Sequence, residues 1–525
     1  MTLDAWLQAA TVDAECRGLP EVVPLLASLA PSLTTLRAAA WLLRADGQPA
    51  RDGLVNWWHK AAEPDGALPA RTQGVRDRSQ SIRALAHDLR SGRITARSLL
   101  EDTLDRIHET QPDLNAFITV LADEARHEAE RRDAELQAGR DRGWLHGLPI
   151  SVKDLIDIDG AATTAASHLR RDHLATHDAA CVTALRDAGA ILIGKTNLHE
   201  FAFGTTNEDS AFGPVRHPLD HARWPGGSSG GSAAAIAAGI GVASIGTDTG
   251  GSIRIPSATC GIVGLKPTFD EVSTSGVVPL GATLDHVGPI ARSVDDAAIV
   301  FDALCGRPGA VSDDGDDVPG DLRGLKFARL RGYFEQRLDT AVRLAYRQAV
   351  DALVRAGAQV YDVQLGYAAE IAPVYLATVL AEAAAYHAET LAARPGDYTP
   401  NVRVRLEMCR YILGEDYVRA QQGRAVFRRE VDQVIEQIGP IILPTVPIPA
   451  QPLGTTTIDI DGKPDSVRNL TLRLTQLFNL TGHPAITMPC GMAEGLPVGL
   501  QVVGARERTR ALIDLARRIE PIVAP

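Results

Sequence analysis

The sequence predicts an α/β protein: one large α/β/α sandwich following a small all-helical N-terminal segment. Two observations carry this. From residue 148 onward, apolar runs of strand length alternate with stretches of helical periodicity. Before residue 75 only the helical pattern is present, and it ends in AAEPDGALPARTQG (61–74), a polar, turn-rich stretch that reads as a linker. On this pattern a helical accessory segment spans 1–75 and the main domain spans 76–525.

In chain order, apolar residues at helical spacing fill 22–29 and 36–43, broken by Pro31, Gly47 and Pro49. A second helical region runs from Ser81 to about Gly139, with long charged faces such as AFITVLADEARHEAERRDAELQA. LPISV (148–152) and AILIG (190–194) suit buried strands, with helix-like CVTALRDAG between them. Residues 232–238 read as a small-residue helix and 242–246 as a strand. Strand, helix and strand then follow at 325–330, 340–356 and 359–363. The stretch 368–438 is mostly helical, and 441–443 and 498–503 are late strands. No internal repeat appears.

Composition narrows the function class. The formal charge of −12 is spread along the chain, so a direct nucleic-acid partner, which needs a basic face, is not expected. The N-terminus lacks a basic start and an apolar core of signal-peptide type, and no run of about eighteen apolar residues suggests a membrane span. Six scattered cysteines with neither CxxC pairing nor histidine clustering point to a reduced, cytoplasmic protein with no structural metal. Of 53 basic residues only six are lysine, at 60, 153, 195, 266, 326 and 463. A buried lysine can lose its proton where arginine cannot, so each of the six is a candidate for chemistry.

Two runs of small residues stand out, GGSSGGSA (226–233) and GTDTGGSIR (246–254). Three readings compete. The first run contains G-x-S-x-G around Ser228, the pattern of a nucleophile elbow, with His286, His387 and His483 as available bases. The second contains Asp-Thr-Gly, the aspartic-protease triplet, but that chemistry needs two such carboxylates and there is no second triplet. The third joins the runs. Ser228 and Ser252 are separated by enough chain for one helix and one strand, so the two hydroxyls can return to one place, with a neutral lysine as base. Lys153, at the end of a strand, is well placed for that role; Lys195 and Lys266 remain competitors on pattern alone.

With these residues in view, the chain resembles the amidase signature family. GGSSGGSA followed by GTDTGGSIRIPS is a long spaced pattern, supported by GLPISVKD, GKTNLHEFAFG, GIVGLKPT, LDHVGPIARSVDDAA, ILPTVPIPA and GHPAITMPCGMAEGLPVGLQVVG. The resemblance covers about residues 80 to 520. It implies a mixed central sheet, a Ser-Ser-Lys triad of Ser252 as nucleophile, Ser228 as bridging serine and Lys153 as base, and a cis peptide at Gly227–Ser228. It also implies an oxyanion hole of backbone N–H groups from Thr249, Gly250, Gly251 and Ser252, with Ser229, Asp248 and Arg254 in support. The activity implied is hydrolysis of a carboxamide or urea-type C–N bond through an acyl-enzyme, with release of ammonia or an amine and no cofactor.

The family acts on varied amides, and the segments expected to choose among them are 201–207 and 375–417. Arg403, Arg405, Arg410 and Arg419, on or just beyond the second, are candidates for a substrate carboxylate. Two further readings are an allophanate or carboxybiuret hydrolase and an amidotransferase A subunit supplying ammonia to partner subunits, the N-terminal helices resembling the small C subunit of such enzymes. A small-molecule amide is the expected partner, and a homodimer is possible.

Overall fold

A computed structural model describes residues 2–39, the backbone of 58–60, and residues 80–308 and 321–524. The expected linker at 61–74 lies outside the described residues. The chain opens with helices α1 (Leu3–Cys16) and α2 (Val23–Ala38) and a short strand β1 (Trp58–Lys60). Next come α3 (Ile82–Arg90), α4 (Ala96–Leu114), β2 (Phe117–Val120), α5 (Ala122–Gln137), β3 (Pro149–Lys153), α6 (Ala180–Asp187) and β4 (Ile191–Thr196). The serine-bearing region supplies α7 (Gly230–Ala237), β5 (Ala243–Asp248), α8 (Arg254–Cys260), β6 (Val263–Lys266), β7 (His286–Ala291) and α9 (Val294–Leu304). Beyond it lie β8 (Lys326–Leu330), α10 (Thr340–Arg355), β9 (Gln359–Val363), then α11 (Ile371–Ala393), α12 (Pro400–Cys409) and α13 (Gly414–Gln437). The C-terminal part is β10 (Ile441–Pro444), a hairpin of β11 (Thr457–Ile460) and β12 (Lys463–Ser466), α14 (Val467–Leu472), α15 (Gln476–Thr481), β13 (Ala485–Ala493), β14 (Leu496–Val503) and α16 (Thr509–Val523).

Twelve of these strands form one sheet in the order β1-β9-β8-β10-β14-β13-β6-β7-β5-β3-β4-β2. Parallel pairing joins β5, β3 and β4 and, separately, β9, β8 and β10; the other pairs are antiparallel, so the sheet is mixed. Its strands alternate their side chains between two cores. Ile442, Ile486 and Val502 pack with α3–α6, α9, α10 and α16, while Ile441, Leu443 and Val503 pack with α1, α2, α11–α13 and α15. This is the α/β/α sandwich expected from the sequence.

Local sequence explains the element ends. Ser81 accepts from Ala84 N to cap α3, Thr95 and Ser98 form a capping box on α4, and Asp339 accepts from Ala341 N and Val342 N at the start of α10. Two expectations need correction. The predicted break at Pro31 does not occur: α2 runs through it, the ring lying on an exposed face of the helix. AFITV is not helical; Phe117–Val120 is β2, paired antiparallel with β4, because its aromatic and β-branched residues suit a sheet edge better than a helix.

The N-terminal helices lie against α12 and α13. Trp6 Nε1 donates to Tyr411 O at 2.8 Å, and Arg37 grips the buried Asp416 carboxylate with two hydrogen bonds of 2.7 Å each. One described segment, Ala368–Ala393, is long and apolar enough to cross a membrane by length and composition alone. It carries α11, which packs inside the helical layer through Tyr375, Thr378 and His387.

Candidate active site

The C-terminal ends of adjacent strands β3 and β5 create the site. Lys153 is the last residue of β3 and is fully buried. Its Nζ donates to Ser228 Oγ at 2.7 Å and to Thr247 Oγ1 at 2.8 Å. Burial disfavours the ammonium and brings its pKa down to about 7; the carboxylates of Asp285 and Asp248 oppose this without cancelling it. Lys153 thus lies among hydroxyl groups, with the Asp285 and Asp248 carboxylates acting on it only through their charge.

Ser228 follows a cis peptide, Gly227–Ser228, and precedes α7. A Cβ on Gly227 would come within 2.9 Å of Asn207 N, so glycine here permits close backbone packing. Ser229 ties the two serine runs together: its N–H donates to Ser252 O at 3.3 Å and its Oγ to Thr247 O at 3.2 Å. Ser252 is 5% exposed where Ser228 and Lys153 are wholly enclosed, so Ser252 is the residue of the three that reaches solvent. Among the described residues no hydrogen bond joins the Ser228 and Ser252 hydroxyls directly.

The loop from Thr249 to Ser252 is pinned through its carbonyls while its N–H groups are left free. Gly250 O accepts from Thr475 Oγ1 at 2.5 Å, Gly251 O from Ile255 N at 2.6 Å, and Ser252 O from Ser229 N. Among the described residues, the N–H groups of Thr249, Gly250, Gly251 and Ser252 make no backbone hydrogen bond. Four successive free donors beside a hydroxyl are equipped to bind an oxygen that gains negative charge. Gly251 sits at φ 140°, and a Cβ there would come within 2.7 Å of Ile255 Cδ1.

Asp248 and Arg254 brace this loop. Arg254 Nε and Nη2 grip the two Asp248 oxygens at 3.0 and 2.9 Å, and Asp248 Oδ2 also accepts from Ile253 N at 3.1 Å. Burial would raise the Asp248 carboxyl, but Arg254 holds it below the usual carboxylate range. Both side chains are fully buried.

The other lysines have different surroundings. Lys195 forms a buried ion pair with Asp154 at 2.9 Å and donates to Thr163 Oγ1. Lys266 donates to the carbonyls of Pro267 and His483. The elbow reading finds no support, because each candidate base is engaged elsewhere: His286 with Leu284 O, His387 with Tyr398 Oη, and His483 with Asp432 and Thr481. Of the four arginines offered for a carboxylate, Arg403 pairs with Glu21, Arg410 with Glu407, Arg405 donates to Phe203 O at 2.9 Å, and Arg419 has its Nη1 buried without a hydrogen-bond partner among the described residues.

Sequence reasoning missed several residues around the loop. Thr247 shares Lys153 with Ser228. Thr475 and Asn479 stand four apart, one helical turn, and hold Gly250 O and Asp248 respectively. Asp285 accepts from Thr249 Oγ1 at 2.5 Å, and burial raises its carboxyl to about 6. Tyr375 lies so close to Gly250 that a Cβ there would be 2.7 Å from its ring. The i, i+4 spacing of Thr475 and Asn479 in TQLFN is a detectable signal; nothing local marks the others.

Comparison with known proteins gives one consistent picture. The family described as Amidase matches residues 98–513. The A subunit of a glutamyl-tRNA(Gln) amidotransferase from Roseiflexus sp. (strain RS-1) is 40% identical over 448 residues, covering 79% of this chain and 91% of its own. A crystal structure of an amidase superposes with TM-score 0.80 and 37% identity, covering 85% of this chain and 100% of the other. A structure of a vestigial protein complex, connected with the origins of an s-triazine catabolic enzyme, superposes at TM-score 0.78 and 34% identity, covering 84% and 98%.

Proposed function

The chain belongs to the amidase family, and on that premise we propose that it hydrolyses a carboxamide or urea-type C–N bond through an acyl-enzyme on Ser252. The observation that carries this is Lys153: a buried amine with pKa near 7, hydrogen-bonded among the described residues only to Ser228 and Thr247. A neutral Lys153 accepts a proton from Ser228, which in turn takes the proton of Ser252, as the Ser252 oxygen attacks the carbonyl carbon. The free N–H groups of Thr249 to Ser252 receive the oxyanion, each such donor being worth about 2.7–4 kcal/mol in comparable enzymes. The proton returns through Ser228 to the leaving nitrogen, the C–N bond breaks, and ammonia or an amine departs. Water, deprotonated by the same relay, then releases the acid. No cofactor enters any step.

The six cysteines are all free thiols, in keeping with a cytoplasmic enzyme. Treatment with a serine-directed fluorophosphonate, followed by mass spectrometry, is expected to label Ser252, and Ser252→Ala is expected to abolish ammonia release from a panel of aliphatic amides, aryl amides, ureas and glutamine. Labelling elsewhere, or an active Ser252→Ala variant, overturns the assignment.

A second reading is favoured by the name of the Roseiflexus relative: an A subunit whose glutaminase activity serves partner subunits. Glutamine hydrolysis that appears only with copurified partners supports it; steady turnover of a simple amide by the isolated chain rejects it. The s-triazine connection of another neighbour keeps a carboxylated urea, of allophanate or carboxybiuret type, among the substrates to assay.

A further inference from the structure

Arg468, beside the oxyanion loop, is a cation with no counterion among the described residues. It sits on α14, four residues before Leu472, so the two share one face about 6 Å apart. Leu472 lies against Gly250: a Cβ there would be 2.9 Å from Leu472 Cδ2. The same α14 face is locked to the 201–207 segment by Thr471 Oγ1, which donates to Thr205 Oγ1 at 2.9 Å. The Arg468 guanidinium stands 5.7 Å from the Phe203 ring centroid.

Among the described residues this guanidinium makes no hydrogen bond or ion pair, and its Nε is buried without a partner. Its electrostatic neighbours do not neutralise it. Tyr375 and Cys409 are both driven toward their neutral forms by burial. Arg405 adds a second positive charge, and the nearby Asp209 is taken by His199 at 3.2 Å. Tyr375 bridges the two regions, touching Gly250 on one side and the field of Arg468 on the other. A half-buried, unpaired guanidinium has a standing desolvation cost that an anion would remove, and its planar fork matches a carboxylate.

We propose that Arg468, aided by Arg405, is a subsite for a carboxylate borne by the substrate, so that the amide cleaved at Ser252 is an anionic one whose carboxylate and scissile carbonyl are joined by a short linker. This rests on the amidase reading and narrows its substrate class. The arginines first offered for this role from the sequence include Arg403 and Arg410, both of which already hold glutamates.

The test separates binding from turnover. Fluorophosphonate labelling of Ser252 is followed in the presence of malonate, succinate or glutarate, each offering one carboxylate to Arg468 and a second toward the oxyanion loop. At least one diacid is expected to slow labelling of the wild type at millimolar concentration, and the corresponding neutral diamide to protect about 10- to 100-fold more weakly, the span expected for a charge-assisted hydrogen bond. Arg468→Gln is expected to remove the preference, Arg468→Lys to keep part of it, and Arg403→Gln to leave it intact. For matched amides with and without a carboxylate, the ratio of kcat/KM is expected to fall by a similar factor in Arg468→Gln, mainly through KM. Equal protection by diacid and diamide in the wild type overturns the proposal, as does an unchanged preference in Arg468→Gln. Should Arg468→Gln not fold, the wild-type protection series decides alone. Failure of Ser252 to label at all is a failure of the amidase reading instead.

Discussion

Lys153 and Lys195 occupy adjacent parallel strands one register step apart, Lys153 opposite Thr196 and Lys195 opposite Val152, and their side chains leave opposite faces of the sheet. One meets the hydroxyls of Ser228 and Thr247; the other meets the carboxylate of Asp154. Two lysines equally buried thus have opposite tasks. One is free to lose a proton, and the other is held as half of a salt bridge.

The first prediction concerns Lys153. A base must be neutral, so kcat/KM is expected to rise with pH through about 7 and then level off. Lys153→Arg keeps a charge that cannot be lost and is expected to reduce kcat/KM by at least about 10²-fold at every pH. A flat profile between pH 5 and 9 in the wild type, or an active arginine variant, would remove Lys153 as the base.

Lys195 predicts stability instead. Both members of its pair are 0% exposed, so breaking it strands a buried charge. Asp154→Asn and Lys195→Met are each expected to destabilise the protein by about 3–5 kcal/mol, and the double variant by clearly less than their sum. Urea unfolding of the four proteins measures this; additive effects would show the pair is not coupled.

Gly251 supplies the third. Its φ of 140° and the 2.7 Å approach of Ile255 Cδ1 leave no room for a methyl group without moving the loop that presents the free N–H groups. Gly251→Ala is expected to lower kcat by about 10²–10³-fold, the loss seen when an oxyanion donor is removed. Near-normal turnover in a folded variant would mean the oxyanion is held elsewhere.

How far the site can be read in sequence depends on how local each cause is. The serine runs and the strand before Lys153 are contiguous patterns, but the choice of Lys153 over Lys195 and Lys266 depends on partners distant in sequence, such as Ser228 and Asp154, and only the family resemblance made it. Thr475 and Asn479 leave only their i, i+4 spacing as a local trace of contacts made 225 and 231 residues away, and Asp285, which meets Thr249 36 residues away, leaves none. The same holds for the fold. β6 and β7 escaped notice because glycines interrupt their apolar runs. Those glycines are required where backbones meet: a Cβ on Gly264 would come within 2.8 Å of Ser257 Cβ, and one on Gly288 within 3.0 Å of Pro267 Cδ.

His387 gives an acid-stability prediction. Burial against Phe201 and Tyr398 lowers its pKa from 6.5 to about 4. The unfolded chain takes up a proton from about pH 6.5 downward while the folded one refuses it until about 4. Stability from this group is therefore complete above 6.5 and lost as pH falls toward 4, by roughly 2–3 kcal/mol. His387→Gln is expected to lose less stability than the wild type between pH 7.5 and 4.5. Equal losses in the two proteins would show that His387 is not a source of the acid sensitivity.

Arg254 supports the most demanding prediction, because every one of its N–H donors is used. Nε and Nη2 hold Asp248, Nη2 also reaches Asn479 Oδ1 at 2.6 Å, and Nη1 donates to Thr475 O at 3.1 Å and Gln501 Oε1 at 2.6 Å. Lysine conserves the charge, yet its single ammonium has three donors at one point and cannot reach five acceptors spread over α15, β14 and the end of β5. Arg254→Lys therefore leaves at least two of these buried hydrogen bonds unmade, at about 1–3 kcal/mol each. The released groups include Asp248, whose Oδ2 holds the N–H of Ile253 next to Ser252. The variant is expected to lose stability by about 3–5 kcal/mol and, at a temperature where it remains folded, to be labelled more slowly at Ser252 than the wild type. Loss of stability with undiminished labelling would separate the brace from the nucleophile and show that the loop keeps its shape without Arg254.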